Sequence, residues 1–438
     1  MEILSNLIPE FLNFWLESGL DKFVRVFWYF ILFELTRYIL LDYVVYFFKS
    51  INKKSHQKEW SVAKARLRAE NPLLSIVVPG KNEGKHLFKL VKSLNEQTYQ
   101  HFELIIVDDG SDDDTPIIGR NLERLGMIDL FLRNEVRGGK ASAANLAVRY
   151  TKGKYIVHLD ADCSFDSDAI ENIVIPFYMD EEIGAVGGNV KVRNYRTSLA
   201  TKLQAIEYLK TISVGRISTS YLGIYKIISG AFGAFRKDVL DQVGYWDIGP
   251  GLDGDITVKI RKSGYKTVFE PSAICLTSAP INFKILAKQR LRWNKSLVRF
   301  RIRKHADVYV PHANFKWLTF FALFENLFYN LVLDVLWWIY LVDLVLNFHD
   351  QLHYVLMMNL TLYICTGFIQ MLIIFLYSER KKEELYLWLF VPFMTLYNGF
   401  FLRYVRTRAY LQELFLYKSY DDPWNPVKSS RQAKLNGF

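Results

Sequence analysis

Apolar residues crowd the two ends of the 438-residue chain, and the middle mixes apolar and polar positions as a globular domain does. Val24 to Phe48 is rich in Phe, Tyr, Leu, Ile and Val. Its length suits one crossing of a ~30 Å hydrocarbon core. Glu34, Arg37 and Asp42 fall inside it, which predicts that one face meets protein or water instead of lipid. No cleavage pattern is evident, so the segment reads as a retained anchor. Leu4 to Leu20 carries Glu10 and Glu17 among Leu, Ile, Phe and Trp and predicts an interfacial amphipathic helix. Three more spans are predicted at Trp317 to Leu346, Tyr354 to Tyr377 and Leu385 to Leu402. The charged stretch Ser378 to Glu384 belongs in the cytosol. Counting crossings then puts Arg403, Arg406 and Arg408 outside, against the positive-inside tendency, unless the last span is re-entrant or partial.

Residues 73 to 280 follow a different pattern. Leu74 to Pro79, Leu104 to Val107 and Tyr155 to Leu159 predict parallel strands buried on both faces. Lys85 to Leu94 and Ala141 to Tyr150 are helix candidates between them. The alternation predicts an α/β fold with a doubly wound sheet, whose ligands sit at the carboxyl ends of the strands. The chain divides accordingly. Residues 1–72 are interfacial helix, anchor and basic linker, and 73–280 the α/β domain. Residues 281–315 are basic interfacial helices, 316–404 membrane helices and 405–438 a tail.

Composition agrees with membrane insertion: 51% hydrophobic and 16% aromatic residues are high for a water-soluble fold. The net charge of +10 sits in two runs. Lys49 to Arg68 holds one acid, Glu59, and Lys284 to Lys304 holds none. Each run abuts an apolar span, which predicts contact with membrane lipids and argues against a nucleic-acid partner. Cys163, Cys275 and Cys365 are too scattered for a zinc site or a disulfide framework.

Three motifs end predicted strands. In Ile76 to Gly84 the strand stops at Pro79-Gly80, and Lys81, Asn82 and Glu83 follow in a loop that can face a nucleotide. In Leu104 to Thr115 the strand delivers Asp108 and Asp109, and Gly110 allows a tight turn. Asp112 to Asp114 read equally as a turn and helix cap. In Tyr155 to Asp166 the strand delivers Asp160 and Asp162, whose side chains share a face in extended chain. Carboxylates that close repel without a cation, and all-oxygen ligands point to Mg2+ or Mn2+ bound together with substrate phosphates. Arg137 to Val148 places Gly-Gly ahead of Lys140 and a helix. Lys140 reads equally as a nucleotide contact or as the partner of a local acid.

These motifs occur in a fixed order with SGAFGAFR (Ser229 to Arg236), VGYWD (Val243 to Asp247), LDGD (Leu252 to Asp255) and QRLRW (Gln289 to Trp293). The set resembles the processive family-2 glycosyltransferases, such as cellulose, hyaluronan and chitin-oligosaccharide synthases, and is most similar to the bacterial poly-N-acetylglucosamine synthase type. The resemblance implies a GT-A (Rossmann-like) cytosolic domain between membrane helices, in a multi-pass inner-membrane protein. It implies an inverting enzyme that polymerises a UDP-sugar, N-acetylglucosamine ahead of glucose, into a β-linked polysaccharide and extrudes it. Asp108 then matches the nucleotide-binding carboxylate. Asp160 and Asp162 match the DxD pair, with Asp162 the more direct metal ligand. Gln289 and Arg292 match donor-diphosphate contacts, and Trp293 the acceptor platform. Lys81, Asn82, Glu83 and Lys140 join the donor set. Ser229 and Gly230 border the acceptor or simply form a turn. The catalytic base matches Asp253, although Gly251 and Leu252 stand where the family has Thr and Glu, which leaves Asp255 as a rival. A small membrane or envelope partner subunit is a further expected partner. The competing functions are transfer of a single sugar to a membrane lipid and a non-catalytic transport scaffold.

Overall fold

A computed structural model describes residues 2–249, 251–313, 315–422 and 425–435. In it, β1 (Leu74–Gly80) pairs in parallel with β2 (Phe102–Asp108), and β2 carries β3 (Leu130–Arg133) in parallel on its far side. β4 (Tyr155–Leu159) lies parallel on the other side of β1. Helices cover both faces here, so strands such as LSIVVPG are continuous apolar runs. The short β5 (Ser164–Phe165), β6 (Ile183–Val192), β7 (Phe232–Arg236) and β8 (Lys266–Thr277) complete an eight-stranded sheet of order β3-β2-β1-β4-β7-β6-β8-β5.

The doubly wound parallel expectation fits only half of this sheet. β7 runs antiparallel to both β4 and β6. The chain arrives at Phe232 already beside the β4 tip, pairing Phe232 with Leu159, so β7 can only run back down the sheet. That reversal puts the loop ahead of β7 against the carboxyl end of β4.

All ten residues of β6 are buried. Gly187 and Gly188 leave room for Tyr225 and Phe232, and a Cβ on either glycine would press into the ring it faces.

Among the described residues, three helices are long and apolar enough to cross a membrane: Trp317–Asn347, His349–Tyr377 and Lys381–Leu416. The N-terminal segment is helical from Glu2 to Ile51, with a non-helical break at Gly19 (φ 73°). Its charged residues do meet protein. Arg37 Nε donates to Glu325 at 2.8 Å, Asp42 accepts from Ser218 Oγ at 2.6 Å, and Glu34 lies 3.7 Å from Arg403.

The last helix runs past the expected Leu402 to Leu416 and hugs the globular domain along its length. Near its start Glu384 pairs with Lys191 of β6 at 2.9 Å. At its middle Tyr397 OH donates to Glu207 at 2.6 Å. Near its end Glu413 pairs with Arg303 at 2.9 Å. Glu384 and Glu413 are about 43 Å apart along a helix rising about 1.5 Å per residue. The first of these partners is on the sheet and the last on the basic segment that follows helix Phe283–Leu297. Arg403 is buried, with its guanidinium 4.6 Å from the Trp337 ring and 3.8 Å from Asp334. The basic cluster after residue 402 therefore starts inside protein, among the apolar helices.

Two outcomes follow for the purified full-length protein in detergent. Gly188→Ala forces the fully buried Phe232 aside and lowers stability by about 1–3 kcal/mol, read as a drop in thermal midpoint. Burial pushes the Glu270 carboxyl up to about 7, with hydrogen bonds from Ser272 opposing. As pH rises from about 4.5 through about 7, the unfolded chain has shed this proton and the folded chain has not, so stability falls. Glu270→Gln flattens that slope and raises stability at pH 8 by on the order of 2 kcal/mol, with little change at pH 4.5.

Candidate active site

Because β1, β2 and β4 are parallel neighbours, their carboxyl ends open on one edge. At the β2 tip Asp108 is 1% exposed. Its Oδ1 accepts from Ser111 N at 3.0 Å and from Ser111 Oγ, and Arg133 Nε lies 3.5 Å from Oδ2. Oδ2 has no hydrogen-bond partner in the protein. Asp109 faces the other way, accepting from Gly138 N and Gly139 N at 2.8 Å and from Asn134 Nδ2 at 3.0 Å. It anchors the Gly-Gly turn, where Gly139 takes φ 93°. The sequence presents the two aspartates as a pair, and only the turn separates their directions.

The β1 loop is stitched to the β2 loop. Asn82, at φ 61°, donates its N–H to Ser111 Oγ at 2.8 Å and accepts from Asp112 N at 3.0 Å. Lys81 pairs with Asp112 at 2.8 Å, toward solvent. Glu83 instead turns to the mouth, where burial and the Asp162 and Asp160 carboxylates push it up to about 7.

At the β4 tip Lys140, the first residue of helix Lys140–Val148, pairs with Asp160. Burial pushes the Asp160 carboxyl up, and Lys140 pulls against that. Asp160 and Asp253 keep Lys140 charged despite its burial. Asp162 accepts from Thr277 Oγ1 at 3.4 Å, and Arg193 Nη2 donates to its backbone carbonyl at 2.9 Å. Nothing in the DxD motif itself points to Arg193, which enters from the end of β6.

A divalent cation fits this donor set. Among the described residues no group of three His, Cys, Asp or Glu side chains could hold a metal unaided. Asp160 and Asp162 supply hard oxygens beside a Glu83 already strained by like charge. That suits Mg2+ or Mn2+ completing its shell with phosphate oxygens and water.

Asp253 reaches the same mouth. It lies in the first turn of helix Leu252–Lys262, and a Cβ on Gly230 would press into its carboxylate. The Gly230 loop is held from β4: His158 Nδ1 donates to Gly230 O at 2.8 Å, and Asp160 N donates to Ala231 O at 3.3 Å. Burial, with Lys140 nearby, drives the His158 pKa far down, so the ring is a neutral donor there. Ser229 Oγ accepts from Ala231 N at 3.3 Å, inside the turn. Asp255 is 2% exposed and already engaged by His305 Nε2 at 2.8 Å and Lys304 Nζ at 2.7 Å. Residues two apart on a helix point about 200° apart, so only one of the pair can face the Gly230 loop.

QRLRW lies on helix Phe283–Leu297. Gly251 (φ 90°) lets that helix seat beside Asp253, for a Cβ there would strike Ser296 and Phe300. Arg290 pairs with Glu207 at 2.9 Å and stacks 4.2 Å from the Trp293 ring, which stays 43% exposed. Gln289 Oε1 is buried without a protein partner. Arg292 is half-buried, and desolvation lowers its pKa against the pull of Asp422. The motif hid the role of Arg290, whose fixed guanidinium orients the indole. The tail also returns: Ser429 Oγ donates to Gly138 O at 2.9 Å, over the Gly-Gly turn.

Residues 75–244 match the Glycosyl transferase family 2 model. The chain is 33% identical over 261 residues to a poly-beta-1,6-N-acetyl-D-glucosamine synthase of Staphylococcus epidermidis, covering 58% of this chain and 61% of that protein. It is 31% identical over 269 residues to the synthase of the same name from Staphylococcus aureus, covering 61% and 62%. The match thus spans about three fifths of the length of these curated relatives. In fold it resembles the mannosyltransferase PcManGT from Pyrobaculum calidifontis, solved with GDP-Man and Mn2+, at a TM-score of 0.57 and 19% identity over 86% of this chain and 99% of that one. Acidic strand tips on a mixed α/β sheet, with that family match across β1 to β7, make the central domain of this chain similar to the family-2 glycosyltransferases, on a fold of the GT-A type.

Proposed function

We propose that the chain is an inverting, processive synthase that builds a β-linked polysaccharide from UDP-N-acetylglucosamine and passes it through its membrane helices. The observation that carries this is the convergence of Asp160, Asp162 and Asp253 at one mouth, with Trp293 exposed on helix Phe283–Leu297, which packs on Gly251 through Ser296. The two staphylococcal relatives are poly-beta-1,6-N-acetyl-D-glucosamine synthases, which supports N-acetylglucosamine as donor sugar and a saccharide as acceptor.

In this scheme Asp108 Oδ2, which has the Arg133 ion pair but no hydrogen bond, accepts from the nucleoside, and Arg292 and Gln289 bind the diphosphate. A Mg2+ or Mn2+ ion on Asp162 and Asp160 would neutralise charge on the departing diphosphate. The Trp293 face seats the apolar face of the acceptor sugar, held at the correct angle by Arg290. Asp253 takes the proton from the attacking hydroxyl as it closes on the anomeric carbon. Attack opposite the leaving diphosphate turns an α-linked donor into a β-linkage. The basic runs that abut the apolar spans support a catalytic domain on the cytosolic side of a multi-pass inner-membrane protein.

Screening nucleotide-sugars with the purified full chain and Mn2+ should show UDP release for UDP-N-acetylglucosamine and a high-mass product ladder. One labelled lipid in place of the ladder would sink the polymer assignment. Asp253→Asn should cut turnover by about 10²–10⁴-fold with donor KM nearly unchanged, and full turnover would remove Asp253 as the base. Asp255→Asn should instead lower thermal stability, since it strips Lys304 and His305 of a buried counter-charge.

A further inference from the structure

Arg193 belongs to none of the motifs that mark the mouth. It directly follows β6, and β8 lies between β6 and β5 in the sheet. Its side chain reaches across that intervening strand to the loop that carries the DxD pair. Nη2 donates to the Asp162 carbonyl at 2.9 Å and to Ser278 Oγ at 2.9 Å, and Nη1 donates to Ser164 Oγ at 3.0 Å. One planar guanidinium thus ties the DxD loop and the start of β5 to the end of β8. Its donors are fixed relative to one another, so holding one acceptor orients the others. All three acceptors are neutral oxygens, and what Arg193 supplies to them is geometry, not a charge pair.

The base of this side chain is itself fixed. Arg193 N donates to Thr277 O at 2.8 Å. The next residue, Asn194, exchanges two hydrogen bonds with Ala279, each at 2.8 Å. The two carboxylates of the DxD pair are held differently. Asp160 is anchored by Lys140 and, through its N–H, by Ala231 O. The Asp162 carboxylate has long contacts alone, from Thr277 Oγ1 at 3.4 Å and Cys163 Sγ at 3.7 Å. The strand that follows, β5, is two residues long and pairs only Ser164 with Leu276 and Phe165 with Cys275. So short an edge strand fixes little backbone by itself. The direction of the Asp162 carboxylate therefore depends on its backbone, and Arg193 holds that backbone by its carbonyl.

We infer that Arg193 is a positioning residue for the divalent cation: by clamping the Asp162 carbonyl to Ser164 and Ser278, it aims the Asp162 carboxylate at the ion bound with the donor diphosphate. This rests on the metal-dependent glycosyltransferase reading above. Arg193 acts through Asp162, and without it the ion would have to order the loop as it binds, which weakens binding.

The test uses the purified full-length chain in detergent with UDP as probe. UDP affinity is measured calorimetrically over a series of Mn2+ concentrations, which gives the Mn2+ concentration of half effect. Arg193→Gln should raise that concentration by about 10–100-fold, as loss of a group that orients a metal ligand does. Arg193→Lys keeps the charge, but one ammonium cannot span the three acceptors, so it should recover only part of the loss. Ser278→Ala, which removes one acceptor and leaves the arginine, should cost a few-fold. In all three variants excess Mn2+ should bring kcat back to within about threefold of wild type, which places the effect in the KM for the metal.

An unchanged Mn2+ requirement in Arg193→Gln would overturn the inference. Full recovery by lysine would do the same, since charge and not the fork would then be the active feature. So would a loss of turnover that no Mn2+ concentration restores, with a fallen thermal midpoint, which would make Arg193 structural. A wild-type UDP affinity that Mn2+ does not change would overturn the inference and the metal assignment together. A Mn2+ requirement that depends on Arg193 in a chain that releases UDP from no nucleotide-sugar would leave the inference standing and overturn the synthase assignment instead.

Discussion

Two hydrogen bonds tie the β4 tip to the turn before β7: His158 Nδ1 to Gly230 O and Asp160 N to Ala231 O. The arrangement of the mouth depends on them. They bring Asp253, which packs on Gly230, beside the Asp160 carboxylate. Like charges do not assemble without restraint, and here the restraint is backbone geometry plus one cation, Lys140. His158 can serve only as a neutral ring, which burial among β4, β7 and Trp246 ensures.

The helices outside the domain extend the same design. Helix Phe283–Leu297 is brought to the mouth by Gly251, and helix Lys381–Leu416 is fastened along the domain by Lys191, Glu207 and Arg303. Glu207 receives both Arg290 and Tyr397, so the platform under Trp293 and the membrane-proximal helix share one carboxylate. The Arg380–Asp166 pair at 2.5 Å fixes the charged loop beside β5, just past the DxD motif. The apolar helices are therefore joined to the domain that carries the site by a short list of ion pairs and one tyrosine hydrogen bond.

The strand tips were legible because buried parallel strands are apolar runs with an abrupt polar end, and Asp108, Asp160 and Asp162 mark such ends. The antiparallel β7 was not, since FGAFR has no feature that states its direction. The pair Asp253 and Asp255 shows the same limit. Spacing puts them on opposite sides of a helix, but which side faces the mouth is settled by Gly230 on one hand and by Lys304 and His305 on the other.

Local order, then, was the sequence's to determine: which segments are apolar, where strands end, and which chemistry stands at those ends. Each depends on neighbours within a few residues. The tertiary structure decided what meets what across the chain. It turned Asp109 into a loop anchor, laid the last helix along the domain, made Arg290 the support of Trp293, and left Arg301 buried without a partner. Burial and pairing are properties of contacts between distant segments, and no local pattern of residue types encodes them.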